Sequence, residues 1–262
     1  MKRFVPTVAL LFLLVSLSVT MHSIAQDTAV SDDVKKQIEL LQTGALKQKI
    51  NAARSLGKIG SEAAPSSVYL IELLDSSEKY KSVLDHFFNI VTIFGRFGDR
   101  LSIECQKALV GIGGPAVSPL STALINHSRP GIRRNVAIVL GEIKDAGSID
   151  TLITALRKDT DYGVRACAAE ALGEMAEKWS IDLLDNAITA LIEALKDNDP
   201  DVRKTAANAL GKIKSMRSVP ALIEALRTYG KESGAVSALS KITLQHLGDD
   251  PQKWQEWYNS NK

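Results

Sequence analysis

Histidine, cysteine and paired carboxylates are the side chains from which proteins build metal sites, nucleophiles and acid–base pairs, and this chain does not space them for that work. Of its four histidines, His22 lies near the start, and His86, His127 and His246 fall in separate segments. None has a second histidine at i+3 or i+4, the spacing that places two ligands on one helix face. Cys105 and Cys167 are the only cysteines. Gly111-Ile112-Gly113-Gly114-Pro115-Ala116 carries glycines like those of a dinucleotide loop, but it follows a helical pattern and contains a proline, so it reads as a turn between helices. The sequence has neither a P-loop nor a Gly-x-Ser-x-Gly elbow. These patterns predict a non-enzyme with no catalytic residues, no cofactor and no metal. What does recur is a basic residue: Arg133, Arg165 and Arg203, with Lys49, each stand eight positions before a glycine, and Asp161 and Asp201 recur beside them. Such a row could clamp an anion.

The elements that carry this row are helices. In the stretch Asp199 to Ile213, Val202, Ala206, Ala209, Leu210 and Ile213 form one apolar face at a 3.6-residue period, Asp199 supplies an N-cap oxygen, and Pro200 fits the first helical position. The same pattern returns at Val164-Arg165 with Ala168, Ala169, Leu172-Gly173 and Met175. It returns again at Ile132-Arg133 with Val136, Ala137, Leu140-Gly141 and Ile143, and more faintly around Ala52, Ala53, Leu56-Gly57 and Ile59. A shorter helix precedes each strong copy: Ile149 to Leu156 before one, Ala190 to Leu195 before the next. Val219 to Leu226 opens a further pair. Small Ala and Gly positions let neighbouring helices approach, and each copy alone is too narrow to bury its apolar face. Stacking the copies solves that problem.

The alternation of Pro-Ala-Leu-Ile-Glu-Ala-Leu (220–226) with Asp-Val-Arg-x-x-Ala-Ala-x-Ala-Leu-Gly-x-Ile (201–213) resembles the HEAT repeat, in its short bacterial, lyase-type form. The resemblance covers Val34 to Leu247. It implies an all-α, right-handed α-solenoid of about six helix pairs that presents a concave recognition surface. It also implies that the arginine row pairs with the neighbouring aspartates as a ladder between repeats, a role that suits fork-shaped guanidinium groups. The ending Gly248-Asp249-Asp250-Pro251-Gln252-Lys253-Trp254-Gln255-Glu256-Trp257 is similar to a tail found on bacterial HEAT-repeat proteins. There Asp250 and Pro251 start a helix, and Trp254, Trp257 and Tyr258 make one stripe that covers the end of the last repeat.

A composition of 45% apolar, 24% charged and 5% aromatic residues suits a helix-rich chain whose core is made of Ala and Leu. Lys2-Arg3 precede an uncharged run from Phe4 to Val19, and Ser23-Ile24-Ala25 fits a cleavage site, so residues 1–25 read as a signal peptide and predict export. An uncleaved anchor is the alternative. Without Lys2 and Arg3 the remainder has 30 basic and 30 acidic residues. There is then no global basic field to recruit nucleic acid or, once the signal is cleaved, an anionic membrane. Export would permit a disulfide, but Cys105 and Cys167 lie six residues before Gly111 and Gly173, which places them on helices two repeats apart and predicts free, buried thiols.

The predicted organisation is a signal (1–25), a polar lead (26–33), a solenoid (34–247) and a capping helix (248–262). The interval from Gly57 to Gly111 is roughly twenty residues longer than the next ones, which marks an insert at 77–97. It reads as an additional helix and contains Phe87, Phe88, Phe94 and Phe97, either packed against its own repeats or forming a docking site. The longer interval before Gly211 is assigned to a lengthened helix from Ile181 to Lys196. Groove-facing residues on the second helices are expected to be Arg54, Lys58, Glu104, Arg134, Glu142, Glu170, Glu174, Lys204, Asn208 and Lys212. Their mixed signs suit a polypeptide. The expected partner surface combines the four phenylalanines with Arg54, Arg134, Glu170, Glu174, Asn208 and Lys212, on an exported, monomeric, non-catalytic scaffold that binds a protein or peptide. Two alternatives remain: an enzyme or accessory protein of the chromophore-lyase type, and a HEAT-like nucleic-acid binder.

Overall fold

The computed structural model describes residues 30–75 and 91–261, without the side chains of 91–99. The expected signal peptide, the first half of the polar lead (26–29), Phe87 and Phe88 lie outside the described residues. Phe94 and Phe97 are placed by backbone alone.

Among the described residues six helix pairs follow one another: α1 (Asp32–Thr43) with α2 (Leu46–Ile59), α3 (Ser67–Glu72) with α4 (Val91–Ile112), α5 (Val117–Asn126) with α6 (Pro130–Ile143), α7 (Ile149–Lys158) with α8 (Tyr162–Glu174), α9 (Asp185–Ala194) with α10 (Pro200–Ile213), and α11 (Val219–Tyr229) with α12 (Ala235–Thr243). A last helix, α13 (Pro251–Asn261), packs on α11. The chain is an all-helical α-solenoid, and the second helix of each pair stacks on that of the pair before.

Local chemistry accounts for the boundaries. The Asp161 side chain accepts the Val164 N–H at 2.9 Å, Asp199 accepts that of Asp201 at 2.9 Å, and Asp250 accepts that of Gln252 at 2.9 Å. Pro130, Pro200 and Pro251 occupy first helical positions, where no donor is lost. The apolar faces expected on α6, α8 and α10 are buried, with Val164, Leu172, Val202 and Leu210 at 0% exposure. The Trp254 side chain is also fully buried, and its indole N–H donates to the Gly248 carbonyl at 2.8 Å.

Close approach of the second helices explains the recurring glycines. Gly57, Gly141, Gly173 and Gly211 lie against Ala108, Ala171, Ala209 and Ala238 of the next second helix, and a Cβ on any of these glycines would come 2.9–3.0 Å from the alanine Cα. A glycine inside a helix costs about 1 kcal/mol relative to alanine. The contact, which no larger side chain permits, is what it secures. These pairs also fix the register of α4. Ala108 holds the alanine position, so Val110, not Gly111, occupies the place that glycine holds in the other repeats. The spacing-based choice of Gly111 was one residue late, because the neighbouring glycine masked the substitution. Cys105 and Cys167 are therefore not at equivalent positions; both are free thiols, Cys105 buried and Cys167 half-buried.

The arginine ladder is present, with different acids. Arg133 makes two hydrogen bonds to Asp159, at 2.7 and 2.8 Å, and Arg165 makes two to Asp197, both 2.8 Å. Each aspartate opens the turn of the following repeat. The same arginines donate backwards to carbonyls of their own turn, Arg133 to His127 and Ser128, Arg165 to Asp159 and Thr160. Arg203 donates to the Asp197 and Asn198 carbonyls, but the next turn presents Tyr229 in place of aspartate, and the guanidinium stacks 4.3 Å from its ring centroid. Asp161 pairs with Arg134, and Asp201 stays exposed in its first helical turn.

Two regions differ from the spacing-based expectation. The residues before α9 form a short 3₁₀ turn and a loop rather than a longer helix. Ile181 and Leu183, within the helix expected from Ile181 to Lys196, are exposed. The described end of the insert, Val91–Phe97, is continuous with the second helix of its own repeat, giving α4 its 22 residues.

Burial pushes the Asp197 carboxyl up, but the Arg165 guanidinium and the Asp199 N–H together outweigh it and hold the group below the usual carboxylate range. A depressed carboxylate contributes stability above its unfolded value, near pH 4, and loses it as pH falls toward the folded value. Asp197→Asn is expected to lower stability by about 1.5–3 kcal/mol at pH 7 and to flatten the decline below pH 4. Urea melts across pH 2–7 check both effects.

Candidate binding cleft

On the face formed by the second helices, charged side chains pair across repeat boundaries. Arg54 on α2 meets Glu104 on α4 at 3.0 Å. Arg134 on α6 makes two hydrogen bonds, at 2.8 and 2.6 Å, to Asp161 at the start of α8. Lys212 on α10 meets Glu174 on α8. The bound Arg54 and Arg134 guanidinium groups hold the carboxyls of Glu104 and Asp161 below their usual range. The mixed signs expected for the groove thus arise largely from pairing between neighbours, and Arg54, Arg134, Glu174 and Lys212 are engaged within the fold.

The boundary between α4 and α6 is different. Elsewhere a glycine faces an alanine; here Val110 stands in the glycine place, and Val139, two residues before Gly141, stands in the alanine place. The register thus sets two β-branched residues where glycine and alanine meet elsewhere, and α4 and α6 approach less closely than the other neighbouring second helices. An amide pair, Gln106 to Asn135 at 3.2 Å, replaces the ion pair. The turn that follows α3 is wedged into the same boundary: the Leu74 carbonyl accepts from Ser102 on α4 and from Asn135 on α6, the latter at 2.7 Å, and Arg129 donates to the Asp75 carbonyl at 3.2 Å.

Beside this boundary, mostly over α6 and α8 with Val110 of α4 at its edge, lies a cleft of about 460 Å³. Val110, Ile138, Cys167 and Ala171 supply its apolar lining, and Glu142, Glu170 and Glu174 line it with carboxylates, together with Lys144. Gly111, the next residue on α4, faces away from the cleft: a Cβ there would come 2.6 Å from the Gly57 carbonyl oxygen of α2. Lys144 caps α6 in the left-handed conformation at φ 52°, its carbonyl accepts the Trp179 indole N–H at 2.9 Å, and its ammonium reaches Glu177 and Glu174. The basic groups at this end are therefore held by acids of the fold. Glu142 and Glu170 have no ion pair or hydrogen-bond partner among the described residues.

The cleft brings together two of the expected partner residues, Glu170 and Glu174. Asn208 lies on α10, next along the same face, and Arg54 lies two repeats earlier. Sequence reasoning missed Val110, Ile138, Lys144 and Cys167. One signal was available: Ile138 occupies the place held by Arg54, Glu170 and Asn208 in the other repeats, and an apolar residue in a polar row marks a local change of use. Among the described residues no group of three metal-ligating side chains forms, and no single helix is long and apolar enough to cross a membrane.

A family model for HEAT repeats matches residues 117–189 and 184–240, so the stretch from α5 into α12 consists of HEAT repeats. No curated protein sequence is significantly similar to the chain. Among solved structures it is similar to the CpcE–CpcF complex of phycocyanin lyase from a Nostoc species, with 23% identity, 58% of this chain and 95% of that one covered, and a TM-score of 0.49. It is also similar to a designed armadillo-repeat protein in complex with the peptide (KR)4, at 18% identity over 88% and 99% of the two chains and a TM-score of 0.42. A third is human deoxyhypusine hydroxylase in complex with glycerol, at 16% identity over 81% and 85%, with a TM-score of 0.42. At such identities the likenesses say nothing of this chain's activity or ligand.

Burial raises both thiols, Cys105 to about 12, but only Cys167 lines the cleft. Maleimide is expected to modify Cys167 about tenfold faster than Cys105 in the folded protein, and Ile138→Trp, which fills the cleft, is expected to slow it. Peptide mapping by mass spectrometry at short labelling times gives both rates.

Proposed function

We propose that this protein is an exported, non-catalytic HEAT-repeat scaffold that binds a polypeptide along the face of its second helices, anchored at the cleft between α4, α6 and α8. The observation that carries this reading is the cleft itself. It interrupts an otherwise closely packed and internally paired surface, and it offers an apolar floor beside free carboxylates. A concave, largely apolar site with a few polar groups is the usual form of a specific binding site. Extension of the same face across several repeats suits an elongated partner more than a small molecule.

Selection from a random peptide library on the immobilised protein is expected to enrich sequences that lose binding to the Ile138→Trp variant while its thermal melt stays at the wild-type temperature. Enrichment that is indifferent to this variant would move the binding site elsewhere. An absence of enrichment would remove the polypeptide reading.

Export rests on the charged start, the apolar run and the small residues before Gln26. Intact-mass measurement on protein from the exported fraction is expected to show a chain beginning near Gln26. A chain that retains residues 1–25 in the membrane pellet would show an anchor.

A further inference from the structure

We propose, resting on the polypeptide-binding reading above, that the cleft is a receptor for a lysine or arginine side chain of the partner, with an adjacent apolar residue of the partner on its floor. Two observations meet here. The floor is apolar, contributed by Val110, Ile138 and Ala171, and it suits the methylene stem of a long basic side chain. Glu142, one turn beyond Ile138 on α6, and Glu170, on α8, are carboxylates without a partner among the described residues.

The surrounding charges sharpen the choice of occupant. Arg54, Arg134 and Lys212 are each paired with an acid of the neighbouring repeat, and Lys144 is held by Glu174 and Glu177. The cleft therefore presents two unneutralised carboxylates and no unpaired cation. An anionic or phosphorylated segment would meet repulsion there, and a neutral apolar segment would gain nothing from the two carboxylates, which are solvent-exposed. A basic side chain with an apolar neighbour satisfies walls and floor together, and the cleft volume of about 460 Å³ accommodates both.

The test uses three acetylated nonapeptides, identical except for a central Leu-Lys-Leu, Leu-Gln-Leu or Leu-Glu-Leu, titrated into ¹⁵N-labelled protein. The lysine peptide is expected to move the amide signals of Ile138, Glu142 and Glu170 with a Kd about fivefold or more below that of the glutamine peptide. This preference is expected to shrink at high salt. The double variant Glu142→Gln/Glu170→Gln is expected to bind the lysine and glutamine peptides alike, with its melting temperature unchanged. Equal binding of lysine and glutamine peptides by the wild-type protein overturns the inference and leaves the polypeptide reading standing. Preference for the glutamate peptide overturns it as well. If no peptide moves these signals, both readings fall. If cadaverine moves them and the lysine peptide does not, the occupant is a free amine. Sedimentation that shows a dimer abolished by Ile138→Trp would place a second copy of the chain in the cleft and overturn the proposal.

Discussion

Everything in this solenoid depends on how closely one second helix can approach the next. Where glycine faces alanine, at Gly141 with Ala171, Gly173 with Ala209 and Gly211 with Ala238, the backbones touch with almost no side chain between them. That approach lets narrow apolar faces close over one another. It also sets the spacing at which Arg133 reaches Asp159 and Arg165 reaches Asp197 in the following turn. Packing comes first and the polar ladder conforms to it, since arginine and aspartate belong to different repeats and meet only where the stacking brings their turns together. Two valines at one boundary are then enough to change the local architecture without breaking the stack.

The charge chemistry follows from the same geometry. A neutral surface of many charges is expected to be solvated and indifferent, but here repeat spacing brings opposite signs together, and the fold consumes most of them. What remains uncommitted on the face of the second helices is scattered, as Lys58 and Lys204 are, except at one place. Glu142 on α6 and Glu170 on α8 are left without partners around one cleft, so the opening and the imbalance in charge fall at the same place.

Periodicity made the fold legible: the apolar faces of α6, α8 and α10, the caps at Asp199 and Asp250 and the burial of Trp254 all follow from residue type and spacing. The ladder was legible in kind but not in its partners. Asp159 and Asp197 stand six residues before the arginines of their own repeats, and only the stacking shows that each receives the arginine of the repeat before. The cleft was hidden by a single residue of register. Gly111 satisfies a glycine pattern by eye, whereas Ala108 against Gly57 shows that Val110 occupies that place. Apolar residues can mislead as well, as Ile181 and Leu183 do: they extend the pattern of α9 yet sit exposed in a loop, because nothing packs over them.

An array in which each unit touches only its neighbours behaves as a one-dimensional chain of couplings, and its cooperativity is limited by the weakest of them. Among the described residues the boundary between α4 and α6 is the loosest between neighbouring second helices, and hydrogen bonds to the Leu74 and Asp75 carbonyls bridge it. A ligand seated across the boundary adds coupling where the protein has least. Occupancy would then be registered by the whole stack as a tighter concert between its halves, and a scaffold without moving parts would acquire a means of reporting that it is loaded.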